Sequence, residues 1–186
     1  MFFRKSTVEP LPVTMSAVRR GDRVLQVGVD DPATITALAA KAGMSGVAVV
    51  AVTTDADAAK VRAAGAKAGV LLDIHVAAAP LPLDDNVFDI VVVHRVQDVL
   101  AAASPATAGA QALEWYRVLR GAGRVVTIES RPSGGLSALV GGRKVAEPAS
   151  SPEAVVTVLE RAGFKPVRTL GAREGLAFSE GLKPSH

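Results

Sequence analysis

The stretch RVLQVGVDDPATITALAAKAGMSGVAVVAV, residues 23–52, decides the fold. It opens with an apolar run, RVLQVG (23–28), closes with a second, GVAVVAV (46–52), and carries DPATITALAAKAG between them. Asp31 marks the N-cap of a helix, Pro32 its first position and Gly43 its stop, with Ile35, Leu38, Ala39 and Ala42 on one stripe. Apolar runs without polar alternation are strands covered on both faces. The segment therefore reads as a strand, a helix and a parallel strand joined by one right-handed crossover.

The same alternation continues outward. A third run, GVLLDIHV (69–76), follows DADAAKVRAAGAKAG, where Asp55 is the expected N-cap and Gly69 the stop. Gly65 interrupts that helix, which rests on propensity and spacing. A fourth strand, FDIVVVH (88–94), comes after the proline-bearing loop APLPLDDNV. The helix AQALEWYRVLRGAG places Leu113, Tyr116 and Leu119/Arg120 on one side, with Trp115 and Tyr116 as core, and leads into a fifth strand, GRVVTIES (123–130). Residues 131–150, rich in Gly, Ser and Pro, read as a loop or lid with a short helical turn at Leu136–Val140. A capped helix follows in SSPEAVVTVLERAGF, with Ser150 or Ser151 as cap and Val155, Val156, Leu159 and Ala162 inward. KPVRTLG and GLAFSEGL close the chain as an antiparallel hairpin around a glycine-bearing turn. The fold expected is α/β: a single three-layer, Rossmann-like domain over residues 1–186, with an N-terminal extension over 1–16 and a seven-stranded, mostly parallel sheet ending in the hairpin.

Composition narrows the chemistry. With 21 Lys and Arg against 18 Asp and Glu, scattered in ones and twos, the chain shows no basic stripe, and only 4% of its residues are aromatic. No nucleic-acid partner is expected. The absence of cysteine excludes disulfides, thiol chemistry and cysteine-ligated metals. His75, His94 and His186 lie too far apart for metal-ligand spacing, so no metal site is expected. MFFRKSTVEP has no apolar signal core, and a soluble, cytoplasmic protein is the expectation.

Four stretches, in order and at matching spacing, resemble the class I S-adenosylmethionine-dependent methyltransferases across about residues 17 to 180. They are GDRVLQVG, LPLDDNVFDIVVVHRVQDVL, EWYRVLRGAGRVVTIE and ERAGFKPVRTL. Residues 81–100 and 114–129 most resemble the small-molecule and quinone-modifying branch. The resemblance implies S-adenosylmethionine as cofactor. It aligns Gln26 with the first-motif acid, Gly28 with the first glycine, Asp30 with the second glycine and Pro32 with the third. Thr53 falls at the acid that takes the ribose hydroxyls, with Thr54 and Asp55 next to it, and Ala77 falls at the aspartate that reads adenine. Losing a carboxylate partner for buried ribose hydroxyls costs about 1–3 kcal/mol each, so weak or unusual cofactor binding is expected.

Two readings stand open at several positions. Asp30 and Asp31 either meet the cationic part of a ligand or serve as a solvated turn and a helix cap. His94, at the end of the fourth strand, is either a general base beside the transferred methyl or a polar strand-end residue. Residues 133–144 either close the acceptor pocket, with Leu136, Leu139 and Val140 against an apolar substrate or a membrane surface, or form a loop without function. A dinucleotide-binding dehydrogenase is disfavoured, because GxGxxG is absent. The function implied is methyl transfer to a small acceptor, apolar ones included. The alternative is a non-catalytic relative that keeps the fold as a binding or oligomerisation module with a decayed cofactor site.

Overall fold

The structure, a computed structural model, describes residues 9–101, 105–130 and 152–185. The lid expected over 131–150, with its membrane-contact segment 133–144, and the caps Ser150 and Ser151 lie outside the described residues. A seven-stranded sheet carries the domain. It is built from β1 (Arg23–Val27), β2 (Val47–Val52), β3 (Asp73–Val76), β4 (Phe88–His94), β5 (Leu119–Ser130), β6 (Val167–Arg173) and β7 (Leu176–Leu182). Their order across the sheet is β3-β2-β1-β4-β5-β7-β6, parallel except where β7 runs antiparallel to both neighbours.

The helices are α1 (Leu11–Ser16), α2 (Pro32–Ala42), α3 (Asp55–Ala68), α4 (Val96–Ala101), α5 (Pro105–Val118) and α6 (Pro152–Arg161). In β4, Ile90 and Val92 join one core and Val91 and Val93 the other, which is why the run is apolar at every position. Asp31 caps α2, its carboxylate accepting from the amides of Ala33 and Thr34, and Ile35, Leu38, Ala39 and Ala42 are buried as expected. The β6–β7 turn is two residues long, Glu174 and Gly175, both at positive φ, the geometry that matches the twist of a tight hairpin.

Several expectations are corrected. The cap of α3 is Thr54, whose hydroxyl oxygen accepts from the Asp57 amide, and Asp55 is the first helical residue. Residues 69–72 are not strand. β3 is a short edge strand covered from one side, where Ile74 packs against the cluster of Val50 and Val61, so Leu71 and Val76 stay exposed. The inward stripe of α5 is displaced by one residue. Ala112, Trp115 and Val118 are buried while Leu113 is 54% exposed, because the large indole takes the central position. Tyr116 meets Phe164 edge-on at 5.2 Å instead. Of the α6 positions, Val155, Leu159 and Ala162 are buried, and Val156 only in part. β5 begins at Leu119, which pairs with Phe88 ahead of a register shift.

The N-terminal extension contributes α1, which buries Val13 and Ser16. Its last carbonyls, of Ser16 and Ala17, accept hydrogen bonds from Arg124 Nη2 on β5 at 2.9 and 2.7 Å. A cation at a helix C-terminus satisfies open carbonyls and complements the dipole. Among the described residues, no helix is long and apolar enough to cross a membrane.

Candidate functional site

Strand order reverses between β1 and β4, each with neighbours leading away on opposite sides, and the crevice above such a switch point is where open α/β sheets take ligands. Two cavities open there. The larger, about 620 Å³, lies over the ends of β1, β2 and β4, and the smaller, about 320 Å³, lies beside it toward α1 and the β6–β7 turn. His94 lines both.

The turn after β1 forms one wall of the larger cavity. Gly28 has φ +73°, and its amide donates to the Ala51 carbonyl at 2.9 Å. A Cβ at this position would stand 2.9 Å from the His94 carbonyl oxygen and 3.2 Å from Val99 Cγ2. Glycine is therefore demanded twice, by backbone conformation and by the close approach of the end of β4. Thr53 and Ala77 also line this cavity, Ala77 with its amide held by the Val52 carbonyl at 2.9 Å.

An acid the sequence reading passed over stands in the same wall. Asp57, in the first turn of α3, lines the cavity while Asp55 does not. Its carboxylate accepts from Lys60 Nζ and from the Thr54 hydroxyl, both at 2.9 Å. These two hydrogen bonds, Lys60's first, hold its pKa below the ordinary aspartate range, and the charge of Arg95 adds to the effect. Arg95 and Asp98, ion-paired with each other, and Gln111 add to the polar part of this cavity. The signal for Asp57 was present as Thr54-x-x-Asp57, a capping pattern that turns the third helical residue back toward the cap.

Beneath both cavities, Gln26 and His94 form a buried polar pair. Gln26 Nε2 donates to the Ile35 carbonyl at 3.0 Å, which turns Oε1 toward His94 Nε2, 3.1 Å away. That contact places the proton on Nε2 and leaves Nδ1 as the acceptor nitrogen. Burial drives the His94 pKa down to about 4, against the raising pull of Asp30 and Asp31. The imidazole is neutral near pH 7 and a weak base.

Of the expected site residues, Gly28, Thr53, Ala77 and His94 meet at the larger cavity. Asp30 and Asp31 line the smaller one instead, Asp31 engaged as helix cap and Asp30 accepting from the Ser130 hydroxyl at 3.0 Å. Gln26 is fully buried under His94, and Thr54 and Asp55 form the start of α3 outside the cavity lining. A nucleoside cofactor fits the larger cavity. Its volume is that of an ordinary ligand pocket, Ala77, Ala78 and Ala79 leave a thin wall open to a planar ring, and Asp57 supplies a carboxylate for a diol one turn beyond the expected position.

The methyltransferase domain family matches the chain over residues 17–127, well over half its length. No curated protein matches by sequence. Among solved structures, a SAM-dependent methyltransferase from Aquifex aeolicus superposes with a TM-score of 0.70 at 18% identity, over 91% of this chain and 86% of that one. The S-adenosylmethionine-dependent methyltransferase SibL, in its apo form, gives 0.69 at 21% identity, over 95% and 54%. The [4+2]-cyclase SpnF gives 0.65 at 16% identity, over 95% and 79%. At these identities the superpositions establish the fold, the Rossmann-like methyltransferase fold with its C-terminal antiparallel strands. The match across β1 to β5 establishes more: the chain belongs to the methyltransferase domain family.

Proposed function

We propose that this protein transfers a methyl group from S-adenosylmethionine to a small-molecule acceptor. The observation that carries the reading is the larger cavity, which sets the side-chain-free Gly28 turn, the alanine wall at 77–79 and the Asp57 carboxylate around one space in a chain of this family. When bound, S-adenosylmethionine would supply an electrophilic methyl: its bond to sulfur would break with the electron pair staying on sulfur, and the acceptor atom would form the new bond and release its proton to solvent. Gly28 would let the backbone approach the methionine portion, Asp57 would accept from the ribose hydroxyls, and Ala77–Ala79 would cover the base.

His94 stands where the two cavities meet and orients what reaches the methyl from the smaller one. With Nε2 tied to Gln26, its Nδ1 accepts a proton-bearing group, O–H or N–H, and fixes its direction. Its low basicity makes alignment and exclusion of water the main contribution. A second reading, a binding module without catalysis, is favoured by one observation: Thr53 and Ala77 bring no carboxylate to the two positions where the family relies on one. SpnF, named as a cyclase, shares the fold, and fold alone does not choose the reaction.

Calorimetric titration with S-adenosylmethionine and S-adenosylhomocysteine separates the readings. Binding is expected, with Asp57→Asn weakening it about tenfold, equivalent to ~1.4 kcal/mol, a larger effect than the small fall in melting temperature from the lost Lys60 pair. No binding at millimolar nucleoside would sink the methyl-transfer reading.

A further inference from the structure

The smaller cavity has a composition unlike the larger. Five parts of the chain distant in sequence build it: Pro10–Pro12 at α1, the start of α2 with the turn before it, His94 at the end of β4, Ile128 on β5, and Glu174 and Leu176 at the β6–β7 turn. Its apolar lining comes from Pro10–Pro12, Ile128 and Leu176. Among the described residues, three carboxylates, of Asp30, Asp31 and Glu174, stand in its lining, and no Lys or Arg does.

Among the described residues, two of these carboxylates retain capacity. Asp31 is occupied as the α2 cap, by the amides of Ala33 and Thr34 and the Thr34 hydroxyl. Asp30 accepts from one hydroxyl, that of Ser130, at one of its oxygens. Glu174 has Arg173 Nε at 3.6 Å, a loose pair between two exposed side chains. At the inner end lies His94, 1% exposed. Among the described residues, Gln26 engages its Nε2, nothing hydrogen-bonds its Nδ1, and the residue lines this cavity.

We propose that this second cavity is the acceptor site, and that it selects acceptors carrying a basic amine, held as the ammonium by Asp30 and Glu174 while a hydroxyl or N–H of the same molecule meets His94. The inference rests on the methyl-transfer reading for the word acceptor, and on the cavity alone for the ligand class. An ammonium nitrogen has no lone pair, so it is the handle by which the molecule is held, and the nucleophile is the group at the His94 end. At about 320 Å³ the cavity is at the small end of ligand sites, which confines the choice to small molecules. Apolar lining together with carboxylates favours an amine over a neutral acceptor of the same size, because the neutral one leaves the carboxylates unmatched.

The test uses three matched sets of probes on the full chain: butylamine, benzylamine and cyclohexylmethylamine, each beside its alcohol (butanol, benzyl alcohol, cyclohexylmethanol) and its carboxylate (butanoate, benzoate, cyclohexanecarboxylate). Binding is read by calorimetry with and without saturating S-adenosylhomocysteine. Failure of the nucleoside to bind removes the methyl-transfer reading and leaves the amine selectivity to be scored on the bare protein. The expected result is that at least one amine binds about tenfold or more tighter than its alcohol, and that its carboxylate binds more weakly than either. Asp30→Asn with Glu174→Gln should then reduce that amine to the level of its alcohol, with S-adenosylhomocysteine affinity kept, since neither residue lines the larger cavity. Equal binding of amines and alcohols in all three sets, no binding of any amine, or an amine preference that survives the double substitution would overturn the proposal.

Discussion

His94 Nε2 and Gln26 Oε1 lie 3.1 Å apart with both side chains withdrawn from solvent, so the histidine nearest the two cavities is anchored by an amide and not by a charge. The stability of the fold is expected to carry the imprint. An unfolded histidine titrates near 6.5 and the native one near 4, so below pH 6.5 the unfolded chain binds the proton first. Stability is unaffected by this group above about pH 7, falls as pH drops from 6.5 to 4, and loses about 3 kcal/mol across that interval. Denaturant unfolding from pH 8 to pH 4 checks it. His94→Gln should flatten the slope, and an unchanged slope in that variant would assign it to other groups.

Gly28→Ala is expected to lower stability by at least about 1–3 kcal/mol, from positive φ alone, with more from a Cβ set against the His94 carbonyl. The clash is with backbone at the end of β4, which cannot step aside as a flexible side chain does. Thermal unfolding and S-adenosylhomocysteine titration of the same variant measure both effects. Loss of affinity beyond what the loss of stability explains would show that the turn also shapes the cofactor cavity.

The sheet was readable because β1, β2 and β4 are covered on both faces, so nearly every residue is apolar and the period cannot be mistaken. The face of α5 was not, since Leu113 with Tyr116 and Ala112 with Trp115 offer rival stripes one residue apart. Only packing shows that the indole takes the core. Gly28 and His94 were legible as candidates from their places at strand ends, and both line the larger cavity. Asp57 was missed because two aspartates share the first turn of α3, and which one faces the cavity depends on whether the cap is Thr54 or Asp55. The smaller cavity has no local signature. Its walls come from residues 10–12, 30–34, 94, 128 and 174–176, and topology alone brings them together.

Arg117 binds the loop over 79–87 to α5. Its guanidinium donates to the carbonyls of Leu81 and Leu83 and to the carboxylates of Asp85 and Glu114, while Glu114 accepts from the Leu81 amide at 2.8 Å. The hydrogen bond from Arg117 is the main reason the Glu114 pKa lies below the usual range. Since Ala79 and Leu81 wall the larger cavity, Arg117→Ala is expected to cost about 2 kcal/mol or more, to expose the Leu81 and Leu83 amides to faster hydrogen exchange, and to weaken S-adenosylhomocysteine binding. Unchanged exchange in this loop would mean that its prolines and apolar contacts hold it without the arginine.

Arg124 does the corresponding work for the smaller cavity. Its Nη2 is shared between the carbonyls of Ser16 and Ala17, across more than a hundred residues of sequence, and these are the carbonyls that close α1. A six-residue helix has too few internal hydrogen bonds to persist alone, so α1 depends on this contact and on the burial of Val13. Arg124→Met keeps the aliphatic stem and removes the donors. The loss expected is about 1–3 kcal/mol in local opening, read as faster amide exchange over residues 11–17 with protection in β1 and β4 retained. Because Pro10–Pro12 wall the smaller cavity, the same variant should weaken butylamine and benzylamine binding while S-adenosylhomocysteine binding, which uses the other cavity, is kept. Equal weakening of both ligands would point to general destabilisation, and no change in α1 exchange would make Val13 packing sufficient by itself.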